Sequence, residues 1–62
     1  MWTTFQATIV KEENNIYLIR LADGTELTAV PSDPHTQITI GTTMTCRSKK
    51  GLNYIVSVPY SM

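Results

Sequence analysis

Ser32, Asp33 and His35 bring the three residue types of a hydrolytic triad within four positions of one another, so bond chemistry is sought there first. A working triad needs nucleophile, base and orienting acid in line, and near-neighbours in one loop cannot arrange themselves that way. Ser-Asp and Asp-Pro steps are ordinary turn formers. Asp33 is expected to cap a single helical turn whose first position is Pro34. His35 has no partner at a metal-ligand spacing. Glu12 and Glu13 are adjacent in a polar stretch and read as solvated, and Gly51 lies in too short a turn to cradle a phosphate. Cys46 is the only cysteine, which excludes an internal disulfide and a cysteine-based zinc site. Its β-rich surroundings predict a small buried hydrophobe, and a lone cysteine fits a reducing compartment. The expectation is a protein that is not an enzyme, with no catalytic residue, metal or cofactor.

Binding chemistry has better material. Arg47, Ser48, Lys49, Lys50 and Tyr54 form a basic and aromatic cluster that one hairpin could display together, offering charge to phosphates and a ring to a base. Arg20 and Tyr17 are the next candidates. The same lysines also suit a charged hairpin that blocks strand pairing, and both readings stay open. Five basic residues balance five acidic ones, which argues against a general polyanion binder. The distribution is uneven: residues 1–40 carry a net −3, whereas residues 41–62 carry +3 and no acid. Only 16% of the chain is charged, a low fraction for a domain with so much surface, and a partner for that surface is expected.

The elements that must position these residues are short strands. Asp23-Gly24, between Tyr17-Leu18-Ile19-Arg20-Leu21 and Thr25-Glu26-Leu27-Thr28-Ala29, predicts a two-residue primed turn in a β-hairpin. Phe5, Ala7 and Ile9 alternate along a first strand from Thr3 to Val10, and the polar stretch from Lys11 to Asn15 turns the chain. A second strand from Ile16 to Ala22 points Tyr17, Ile19 and Leu21 inward; a third puts Leu27 and Ala29 inside. Ile16, Leu18 and Arg20, with Thr28 and Val30, then lie outside. Pro31 and Pro34 end the third strand, Gln37–Ile40 reads as a short β segment, and Thr42–Arg47 forms a fourth strand with Met44 and Cys46 inward. Ser48 to Gly51 turns into a last strand from Leu52 to Val58, and Pro59 to Met62 is a terminus. Trp2 is expected to seal one barrel end in preference to serving as a stacking platform.

Sixty-two residues allow one domain, 1–62, and five short strands cannot form two sizeable sheets, so the sheet is expected to bend into a small barrel. The alternatives are an oligonucleotide/oligosaccharide-binding barrel, with a loop or helix between its third and fourth strands, and a Src-homology-3-like barrel, whose long loop comes earlier. Ala7-Thr8-Ile9-Val10, Asn15 to Gly24, Leu27-Thr28-Ala29-Val30-Pro31-Ser32, Ile38-Thr39-Ile40-Gly41 and Met44-Thr45-Cys46-Arg47 together resemble bacterial translation initiation factor one and ribosomal S-one-type RNA-binding barrels. The resemblance covers roughly residues 7–58 and implies an all-β oligonucleotide-binding fold and RNA binding. Two departures stand out: Ser32–Gln37 has no lysine or arginine, and Asn53–Val58 is uncharged. They fit a divergent relative, such as a phage-encoded protein.

The leading expectation is a module that binds single-stranded RNA or DNA through Arg47, Lys49, Lys50 and Tyr54, with Arg20 and Tyr17 behind them. The alternative is a protein-interaction or inhibitor module that docks a host protein or a second copy of itself on Ile16, Leu18 and Val30, or by strand addition at an open edge. Met1 to Gln6 lacks the features of a secretory signal, and no run approaches the roughly 20 apolar residues of a membrane span. A cytoplasmic location without membrane contact is therefore expected.

Overall fold

Alternation of apolar and polar side chains, with β-branched residues in every strand, produces five strands and no helix among residues 1–56, the part of the chain that a computed structural model describes. They are β1 (Thr3–Glu13), β2 (Ile16–Arg20), β3 (Glu26–Pro31), β4 (Thr43–Lys49) and β5 (Leu52–Val56). They close into a barrel in the order β1-β2-β3-β5-β4. β1, β2 and β3 form an antiparallel meander, β4 returns beside β1, and this spatial order 4-1-2-3 is a Greek key. β5 closes the barrel, antiparallel to β4 and parallel to β3. The long connection lies between β3 and β4, where an oligonucleotide-binding type of barrel is expected to carry it.

β1 is long enough to serve two neighbours. Its first half pairs with β4 from Thr3↔Ser48 to Thr8↔Thr43, and its second half pairs with β2 from Thr8↔Arg20 to Glu13↔Ile16. The register shifts between Ile9 and Lys11, leaving Val10 as the extra residue of a bulge, which bends a strand around a barrel corner. The polar stretch assigned to a turn is thus mostly strand. Only Asn14 and Asn15 reverse the chain, both at positive φ (54° and 66°), as a two-residue primed turn requires.

The Asp23-Gly24 hairpin is real, but its turn is not the expected one. Leu21 donates its N–H to Thr25 O at 2.8 Å and Gly24 donates to Leu21 O at 3.0 Å, so the loop is Ala22-Asp23-Gly24 with only Gly24 at positive φ (92°). Three residues permit a turn of ordinary hand followed by a left-handed glycine. Asp23 shapes it by accepting the Thr25 N–H at 2.9 Å, a bond that also holds its carboxyl below the usual range.

Inside lie Ala7, Ile9, Ile19, Ala29, Cys46 and Ile55, all essentially without exposure, with Phe5, Tyr17, Leu21, Leu27, Ile38 and Met44 packed partly buried around them. No polar side chain is buried among the described residues. Residues 37–40 do not form the expected strand. Ile38 packs against the core while Ile40 remains half exposed, so the segment anchors by one side chain and carries no ladder. Its backbone neighbour β1 is already saturated there, since Ile9 bonds to Thr42 O and Gly41 N. The fourth strand extends through Lys49, beyond the expected end at Arg47. The last strand is described to Val56, and the sequence expectations for residues 57–62 fall outside the described residues.

Candidate nucleic-acid interface

Ser32, Asp33 and His35 do not assemble a reactive site. The Ser32 hydroxyl lies 3.2 Å from the Thr36 hydroxyl, and the Asp33 carboxylate accepts the backbone N–H of His35 at 2.8 Å. These bonds build a turn without a helix, and the backbone of Asp33 closes it by accepting from Thr36 N. Among the described residues no three His, Cys, Asp or Glu side chains converge to hold a metal. Cys46 is fully buried, and desolvation raises its thiol from 9.0 to about 11, which keeps it protonated and unreactive at neutral pH.

The basic and aromatic residues do converge. Cys46↔Ile55 is an inward pair of the β4–β5 ladder, so the next pair, Arg47↔Tyr54, must face outward, and so must Lys49↔Leu52. Ser48, between the two cations, belongs to the inward set. Lys50 and Gly51 form the turn, at φ of 55° and 80°. Because Thr3 pairs with Ser48, the residue before it, Trp2, lies alongside the end of β4. Its ring has the Arg47 guanidinium carbon 4.5 Å and the Lys49 ammonium 5.3 Å from its centroid, and it meets Tyr54 edge to face at 5.6 Å and 69°. Trp2 therefore does not seal a barrel end. It lies 41% exposed on the outer wall, where cation–π contacts of about 0.5–1 kcal/mol each favour it. Trp2, Ser32, Arg47, Tyr54 and Val56 line an open cleft of about 280 Å³.

The second-tier candidates fall elsewhere. Tyr17 is half-buried and packs against the core. Arg20 is held across the β2–β3 ladder by Glu26, whose Oε2 accepts from Nη2 at 2.7 Å and Nε at 3.0 Å. It is the only ion pair among the described residues, so Arg47, Lys49 and Lys50 have no acidic partner there. Ile16, Leu18 and Val30 lie on the outer side of β2 and β3 as expected: Ile16 and Val30 are exposed and Leu18 half-buried. Barrel closure leaves no strand with a wholly free edge. Trp2 is the site residue that sequence reasoning misplaced; the β1–β4 register that brings it to Arg47 and Lys49 spans more than forty residues.

The molecule thus belongs to the class of small closed Greek-key barrels with an open, cationic and aromatic outer patch. Comparisons with protein-family models, curated proteins and solved structures find no match. No helix among the described residues is long and apolar enough to cross a membrane.

Proposed function

We propose that this barrel binds single-stranded RNA or DNA without bond chemistry, on the outer face of β4 and β5. The observation that carries the reading is the joint placement of half-buried Arg47, Lys49 and Tyr54 with exposed Trp2 on one outer wall, with Lys50 at its rim and no acid among them. Phosphates meet the cations while bases stack on the rings, an arrangement tolerant of sequence because every base has a π face. A base that stacks on Trp2 displaces a cation from its ring and releases that cation to a phosphate. Arg20 and Tyr17 take no part, being committed to Glu26 and to the core.

Trp2 is the only tryptophan, so its fluorescence reports on this wall alone. Titration with a short single strand at low salt is expected to change that emission. Replacing Lys49 and Lys50 by Ala should weaken binding and flatten its salt dependence by about 0.7 in the log–log slope for each phosphate that is no longer neutralised. Absence of binding by the unmodified protein at low salt would remove this function.

A further inference from the structure

Arg47 differs from Lys50 in what surrounds it. It is half-buried in the open cleft of about 280 Å³ that it lines with Trp2, Tyr54, Val56 and Ser32, whereas Lys50 stands exposed at the turn. Its guanidinium carbon lies 4.5 Å from the centroid of the Trp2 ring. Arg20 spends its donors on Glu26, but Arg47 has no acidic partner among the described residues. Contact with a ring fixes a guanidinium while sparing most of its five donors, which form a rigid fork for two acceptors side by side. Ser32 supplies the second polar group of the cleft. Its N–H donates to Ile55 O at 2.9 Å, which ties it to β5, and its hydroxyl lies 3.2 Å from the Thr36 hydroxyl. A hydroxyl has one donor and two acceptor sites, so this contact leaves Ser32 able to accept a further N–H.

The remaining walls are aromatic or apolar. A phosphate set against Val56 and Tyr54 would lose water there, while Lys50 offers it a solvated partner at the turn. A flat nucleobase suits such walls, provided that it satisfies the fork. Guanine carries two acceptors, O6 and N7, side by side on one edge and N–H donors on the adjoining edge. Adenine puts a donor beside N7, and thymine and uracil place an N–H between their carbonyls. Cytosine offers two adjacent acceptors on a single ring, with less surface to stack. We propose that the cleft is a guanine subsite, in which Arg47 donates to O6 and N7, Ser32 accepts an N–H from the opposite edge, and Trp2 stacks on the base. The Lys49 ammonium, farther from the Trp2 centroid at 5.3 Å, is then the cation that yields to the base and turns to a phosphate. The inference rests on the single-strand reading above and adds to it one position at which the strand is read by base.

The test is fluorescence anisotropy of an end-labelled oligothymidylate, plain or carrying one central guanine, adenine or cytosine, titrated at low salt with the full chain. The guanine strand is expected to bind about fivefold more tightly than the other three, the lower end of what a bidentate Arg–guanine pair discriminates. A strand with 7-deazaguanine, which has carbon in place of N7, should lose that preference with no change to the protein. Arg47→Lys keeps the charge but not the fork, so it should bring the guanine strand down to the affinity of the others. Ser32→Ala should reduce the preference about twofold. Equal affinity for the four strands, a cytosine strand bound as tightly as the guanine strand, or a preference that survives 7-deazaguanine or Arg47→Lys would overturn the guanine subsite and leave single-strand binding standing. Failure of every strand to bind would remove the single-strand reading and the subsite with it.

Discussion

The β1–β2 and β4–β5 hairpins are alike in backbone and inner face and opposite in outer face. Each reverses through two residues at positive φ, Asn14-Asn15 in one and Lys50-Gly51 in the other. Each delivers an inward pair to the same core, Ile9↔Ile19 and Cys46↔Ile55, with no exposure at any of the four. Outside, the first presents Lys11, Glu13 and Ile16, while the second presents Arg47, Lys49 and Tyr54. The contrast between the hairpins separates two demands on a strand. Packing constrains every second residue to a narrow set of shapes, whereas the alternate residues are free to carry charge of either sign.

The most disruptive way to test the likeness is to cut the core on each side. Ile19→Ala and Ile55→Ala should each cost about 2–5 kcal/mol, with melting points falling by about 4–8 °C per kcal/mol in a domain of this size. A domain with a total stability of roughly 3–9 kcal/mol is left near its unfolding threshold by such a loss. Thermal melts in which one variant is nearly neutral would show that the hairpins do not contribute equally to one core.

The outer difference is tested by binding. Lys49→Ala with Lys50→Ala should lower affinity for a short single strand and reduce the salt slope by about 1.4 if each lysine neutralises one phosphate. Glu12→Ala with Glu13→Ala should leave both the affinity and the slope undiminished. Equal reductions from the two pairs would mean that the strand does not discriminate between the hairpins.

The turns provide a smaller contrast. Lysine gains nothing locally from a left-handed backbone, so Lys50→Gly should stabilise the protein by about 0.5–1 kcal/mol. Asn14→Gly should gain less, because asparagine adopts that conformation more readily. Denaturant midpoints decide the order, and the reverse order would show that Lys50 makes a compensating interaction.

The last effect is confined to alkaline pH. Burial raises the Cys46 thiol from 9.0 to about 11, so its contribution is fully present below about pH 9 and is lost as pH rises toward 11. Melting points across that range should fall less steeply for Cys46→Ala than for the unmodified chain, after matching at pH 7. Parallel curves would show that the thiolate is solvated in the folded protein.

Much of the barrel was legible in the residues themselves. The period-two alternation of Phe5, Ala7 and Ile9, of Tyr17 and Ile19, and of Met44 and Cys46 assigned the inner face, because a slip of one residue would turn each set to solvent. The Lys50-Gly51 reversal and the hairpin at Asp23-Gly24 followed from short-range turn chemistry. What failed was decided at longer range. Ile38-Thr39-Ile40 has a strand's pattern but no ladder, since the nearby β1 backbone is bonded to Gly41 and Thr42. Arg20 looks unpaired in sequence, yet it meets a glutamate across the sheet. Trp2 could be placed only once β1 lay antiparallel to β4. Local propensity and alternation act over a few residues, so the chain alone determined its strands and their inner faces. Pairing between distant strands fixes which outer residues become neighbours, and that alone brought two cations to one tryptophan.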